Sequence, residues 1–165
     1  MKPALLVIDM QSAYYSHTSR IRDSFEEVFV YINAAIALFR KKDLPIFVVL
    51  HVDEKEGLTL NREGFKICEQ IHSLPSGFQI KKHKGSAFTG TKLEEMLKDL
   101  SVDTLIITGF SAEYCVLSTY RAASDLEYTP ILLSGALASE NQENIPFVEG
   151  ISNLISYGAL EKLLQ

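Results

Sequence analysis

The chain has 165 residues, 47% hydrophobic and 22% charged, a composition that suits one globular domain spanning residues 1–165 with a full core. Its net charge is −5, from 21 acidic and 16 basic residues with no long run of either sign, which argues against nucleic-acid binding. No apolar run reaches the ~18 residues of a membrane span, the N-terminus lacks a signal-peptide pattern, and two distant cysteines form no disulfide framework, so no membrane association and a cytoplasmic setting with free thiols are expected.

In chain order, residues 5–8 are a short apolar run of strand formers ended by Asp9. Residues 23–42 follow with Phe25, Val28, Phe29, Ile32, Ala35, Ile36 and Phe39 at helical spacing, and Ser24 with Glu27 has capping-box spacing. A second apolar strand is expected at 45–50 and a weaker third at 78–82, separated by a long loop in which residues 65–71 form a short helix. Thr91 and Glu94 repeat the capping-box spacing ahead of Leu93, Met96, Leu97 and Leu100. The fourth strand is read at 104–108, a helix at 115–126, and a fifth strand at 129–133. Phe147, Val148, Ile151, Leu154 and Ile155 predict a last helix closed by Gly158. Apolar strands alternating with amphipathic helices predict an α/β fold, a doubly wound, mostly parallel sheet in three α/β/α layers.

In such sheets ligands bind beyond the carboxyl ends of the strands. Three reactive residues fall there: Asp9 after the first strand, Lys82 ending the third, and Cys115 just past the fourth. If the first and fourth strands are central neighbours, the third lies two places from the first, roughly 10 Å away, a gap that a lysine stem can largely cover. The strand–Gly109–helix sequence places Cys115 near the positive end of a helix, where the dipole and Lys82 are expected to depress the thiol pKa. Asp9 can take the thiol proton and pass it to a leaving group, and backbone N–H groups of Cys115 and of a residue about one turn earlier can hold an oxyanion. This is acyl transfer through a thioester.

Four segments carry a resemblance: Ala4-Leu-Leu-Val-Ile-Asp-Met-Gln11; Lys82-His-Lys-Gly-Ser-Ala-Phe88 with Gly90, Thr91 and Leu93; Gly109 through Cys115-Val116; and Thr119 with Arg121 and Ala122. In this order they resemble the isochorismatase-like cysteine hydrolases, which include nicotinamidases and other small-amide hydrolases. The resemblance implies a catalytic triad of Asp9, Lys82 and Cys115, with Lys82 preferred over Lys81 and Lys84 by its distance from Ser86. It also implies a cis peptide at Phe110–Ser111, which leaves the N–H of Ser111 to serve the oxyanion hole beside that of Cys115. Gln11, Tyr15, Phe88 and Tyr114 are the candidate substrate contacts. The partner expected is a small-molecule substrate, an amide or, as the lesser option, a vinyl ether of the isochorismate kind. Family habit adds a homo-oligomer, dimer or larger.

Departures from the family pattern limit the transfer. Ser12-Ala13-Tyr14-Tyr15 stands where Asn-Asp-Phe is common, which motivates the alternative of a catalytically silent scaffold that binds a small molecule or a protein partner. Gly135-Ala136 replaces an acidic–alanine pair. Nicotinamidases bind metal through Asp-x-His and a later His, whereas His51-Val52-Asp53 runs in reverse with His72 beyond, so no metal or other cofactor is expected. Taken singly, His51 reads as a core or pocket-rim residue, Cys68 as helical packing, and Ser86 as a loop-closing hydroxyl.

Overall fold

The computed structural model describes residues 1–72, 74 and 77–165. Six strands, β1 (Pro3–Ile8), β2 (Ile46–His51), β3 (Phe78–Lys82), β4 (Thr104–Phe110), β5 (Thr129–Ala138) and β6 (Leu154–Ile155), form one sheet in the order β3-β2-β1-β4-β5-β6. Every pairing is parallel. β1 is buried along its whole length, as both-face coverage requires. The helices are α1 (Ser12–Tyr15), α2 (Ser19–Lys41), α3 (Leu93–Asp99), α4 (Leu117–Asp125), α5 (Asn144–Gly150) and α6 (Tyr157–Leu163). One core cluster joins α2 and α6 to one face of the sheet through Phe25, Ile32, Phe39 and Leu160, and the other joins α3, α4 and α5 to the opposite face through Leu97, Val116, Ala123 and Val148. Among the described residues no helix is long and apolar enough to cross a membrane.

Local departures from the sequence reading have identifiable causes. α2 begins earlier than expected because the Thr18 side chain accepts the N–H of Ile21 as its cap. Ser24 therefore sits one turn inside the helix, and its hydroxyl accepts the N–H of Ser139 instead. Thr91 accepts the N–H of Leu93, but Glu94 does not complete a capping box; it pairs with Lys98 one turn on. No helix forms over 65–71: a 3₁₀ turn at Glu63–Phe65 is followed by an irregular segment, so Cys68 is buried packing off a helix. The expected last helix divides into α5, the two-residue strand β6 and α6, the break following Gly150, a poor helix former. In the long loop, residues 73, 75 and 76 lie outside the described residues.

β1 and β4 are in register from Pro3↔Thr104 to Ile8↔Gly109. Gly109 has φ +117°, and a Cβ built there would meet the Ile8 carbonyl oxygen at 2.1 Å and the Ile8 nitrogen at 2.7 Å. Only glycine fits this close approach of two central strands. Gly109→Ala is expected to destabilise the fold by about 3 kcal/mol or more, read as a drop in the urea midpoint, because both offending atoms are backbone.

Candidate active site

β1 is followed by Asp9, whose φ of +51° turns the chain sharply out of the sheet while its N–H still donates to the Val49 carbonyl at 2.9 Å. Aspartate tolerates this left-handed conformation better than most residues, and such backbone outliers concentrate at functional sites. β3 ends two strands away at Lys82, directly beside His51 in the β2–β3 register. β4 runs into the cis peptide Phe110–Ser111, then a π-helical turn, Ala112–Val116, that carries Cys115 and closes with the N–H of Val116 donating to the Ser111 carbonyl at 3.1 Å. π-turns are rare and frequent at functional sites.

These three strand ends converge. The Lys82 Nζ lies 2.9 Å from Asp9 Oδ2 and 3.3 Å from Cys115 Sγ. It also donates to the Lys84 carbonyl at 3.0 Å and stands 3.1 Å from His51 Nδ1. Lys82 and Asp9 are 0% and 1% exposed, whereas Cys115 is half-buried. Apart from Lys82 and the thiol, the Asp9 carboxylate has little support, and Oδ1 accepts no hydrogen bond. A base with an open lone pair therefore sits beside a thiol and an ammonium.

The electrostatics correct one expectation. Burial, followed by the Asp9 carboxylate, pushes the Cys115 thiol up to about 12, outweighing the opposing pull of Lys82. Asp9 is raised as well, by burial first, against the lowering influence of Lys82. One ammonium thus faces two groups that resist being anionic together, and the resting thiol keeps its proton.

His51 is pulled down to about 4, chiefly by burial and then by Lys82. Its Nδ1 accepts from an ammonium, so the neutral ring carries its proton on Nε2. The fold favours this neutral form: its contribution is complete above the unfolded value of 6.5 and is lost as pH falls through about 4. His51→Gln is expected to flatten the acid side of the stability profile, measured as the urea midpoint between pH 7 and 4.

Beside this cluster opens a cavity of about 1040 Å³ whose lining includes Tyr14, His51, Phe110, Ser111 and Tyr114. His51, beside Lys82, and Ser111, at the foot of the turn that carries Cys115, join it to the cluster. Tyr114, an expected substrate contact, lies on this wall and is 69% exposed. Three other expected contacts are elsewhere. The Gln11 amide is fully buried; it donates to the carbonyls of His51 and Phe65 and accepts the His51 N–H at 2.8 Å, so it fastens the end of β2 and has nothing left for substrate. Tyr15 donates to Glu26 and packs on Phe25 and Phe29, turned toward α2. Phe88 stacks on Tyr128 at 5.9 Å, in the core beneath α3 and α4. Ser86 closes its loop, accepting the N–H of Phe88.

Tyr14 is the residue that the sequence reading passed over. It is the aromatic of α1 that faces the cavity, its ring 5.0 Å from Phe110, and burial followed by the Asp9 carboxylate keeps its hydroxyl protonated. The residues of the nicotinamidase-type metal site do not fit a metal here. Asp53 Oδ1 accepts the N–H groups of Lys55 and Glu56 in its own turn, and His51 presents Nδ1 to an ammonium. Among the described residues no three of His, Cys, Asp or Glu converge on one point.

Comparison with known proteins adds a family. The Isochorismatase domain matches residues 3–148. A Bacillus subtilis protein described as an uncharacterized isochorismatase family protein, YrdC, is 30% identical over 140 residues, covering 84% of this chain and 74% of its own. The N-carbamoylsarcosine amidase of Thermoplasma acidophilum superposes with TM-score 0.81 at 25% identity over 94% of this chain and 96% of its own. An isochorismatase-like hydrolase from Alkaliphilus metalliredigens has the same fold, with TM-score 0.90 at 21% identity over 100% of both chains.

Proposed function

The chain belongs to the isochorismatase domain family of hydrolases, and on that footing we propose that it hydrolyses the C–N bond of a small amide through a thioester on Cys115. The observation that carries this reading is a single ammonium, that of Lys82, in contact with both the Asp9 carboxylate and the Cys115 sulfur. Similarity to an amidase supports the choice of bond.

In the first half-reaction Asp9 takes the thiol proton as the sulfur bonds to the amide carbon. The carbonyl π pair moves onto oxygen, where the N–H groups of Ser111 and Cys115 hold it. Collapse breaks the C–N bond, and Asp9 returns the proton to the departing nitrogen, which leaves as ammonia or an amine. In the second half-reaction water attacks the thioester and loses a proton to Asp9. The C–S bond then breaks, the proton returns to sulfur and the acid departs. The Lys82 ammonium balances whichever group is anionic. His51 offers Nε2–H from the cavity wall, where it can orient a substrate acceptor.

A panel of small amides assayed for ammonia release tests the reading, together with intact-mass detection of an acyl adduct on Cys115. Release accompanied by that adduct supports it. No release from any amide, with Cys115 alkylated no faster than the buried Cys68, would leave a binding scaffold in its place.

A further inference from the structure

The charge of this protein is not spread over its surface. Six carboxylates line the cavity, those of Asp23, Asp53, Glu56, Glu113, Glu140 and Glu143, against one guanidinium, that of Arg20. Removing these from the chain's 21 acidic and 16 basic residues leaves 15 of each, so the cavity accounts for the whole net charge of −5. Among the described residues none of the six is in a salt bridge. They come from four separate segments: the start of α2, the loop after β2, the π-turn, and the loop after β5. Hydrogen bonds within the chain hold Asp53 and Glu113, and the mutual repulsion of six like charges around one opening opposes their meeting.

The acidic residues do not define the site; the thiol, the ammonium and the buried Asp9 with its unpartnered Oδ1 do. Glu113 links the two. It sits two residues from both Ser111 and Cys115, its Oε1 accepts from the Ser139 hydroxyl at 2.9 Å, and its buried Oε2 has no partner. Asp53 is likewise oriented by its turn. A cavity walled in this way focuses a negative potential on whatever enters it.

We propose that the substrate is a cationic amide, a small molecule carrying an ammonium or guanidinium group on the side of the scissile carbonyl that faces the carboxylate rim. The proposal rests on the hydrolase reading above. It also sets against the vinyl ether option, because a substrate of the isochorismate kind carries carboxylates that the same rim repels.

Three amides of matched length separate the charges: 4-aminobutanamide is cationic, butanamide is neutral and succinamate is anionic. The expected order of kcat/KM is cationic over neutral over anionic, with at least a tenfold span between the ends. That span should shrink in 1 M NaCl, where the screening length falls to about 3 Å. The paired variant Glu140→Gln/Glu143→Gln should narrow it as well. A second readout needs no turnover: Cys115 is modified by a trimethylammonium-ethyl or a sulfonatoethyl methanethiosulfonate, each rate normalised to that of 2-mercaptoethanol. The normalised cation-to-anion ratio is expected to exceed ten and to fall with salt. Turnover or modification with equal or reversed charge preference overturns the proposal and leaves the hydrolase reading standing. Failure of all three amides together with an unreactive Cys115 overturns the hydrolase reading, and the proposal falls with it.

Discussion

Cys115→Ala is expected to reduce ammonia release by at least ~10⁴-fold without unfolding the protein, the scale typical of removing a covalent nucleophile. The sulfur is half-buried and accepts a hydrogen bond from Lys82, and its loss leaves Lys82 still paired with Asp9. The melting temperature should therefore move little while the rate collapses. Cys68→Ala should show the reverse: Cys68 is 1% exposed within the core under α2, so its removal costs stability but leaves turnover in place. The two measurements are ammonia release under saturating amide and thermal denaturation of both variants. A Cys115→Ala protein that still turns over would assign the chemistry to another group.

Lys82→Met is expected to cost stability as well as activity. It leaves the Asp9 carboxylate buried without its counter-ion, and breaking a buried pair from one side costs about 3–5 kcal/mol. Asp9 is already raised by burial, and loss of Lys82 removes the largest influence that lowers it. A group raised in the fold favours folding in its protonated form. That contribution is complete below the unfolded value of 3.8 and disappears as pH rises through the folded one. The variant should therefore be least stable at neutral to alkaline pH and recover on acidification. Asp9→Asn/Lys82→Met should regain most of the loss at pH 8, since an uncharged pair of similar volume replaces a buried ion pair at little cost. Urea midpoints at pH 5 and pH 8 for the single and double variants check each step. A Lys82→Met protein as stable as the parent at pH 8 would show that Asp9 is not held as an anion.

The sheet and the three reactive residues were legible because each rests on a local signal. Continuous apolar runs marked β1, β2 and β4, and a polar residue at each strand end needed only the parallel topology to bring it to one edge. Lys82 was the most informative of these, since only a long stem spans two strands. What escaped depends on packing that no local pattern records. The choice of Tyr14 over Tyr15 turns on the rotation of a single helical turn, and the Gln11 amide could not be known to be consumed by His51 and Phe65. The thiol pKa was misjudged because a helix terminus and a lysine are visible in sequence, whereas the depth of burial that outweighs them is not. The carboxylate rim was hidden for a related reason: its members lie up to 120 positions apart, from Asp23 to Glu143, and converge only in the folded chain.

The surroundings of the Lys82 head group carry a last consequence. A protonated amine has three hydrogens to offer, and here four acceptors compete for them: a carboxylate, a sulfur, an imidazole nitrogen and a peptide oxygen. One neighbour is always left wanting, so the cation can reassign its hydrogens by rotating about its last carbon–nitrogen bond while the backbone stays still. In the proposed reaction, where negative charge passes between oxygen and sulfur, the compensating group would follow it as a swivel, on the fast timescale of side-chain torsions and with no loop having to open or close.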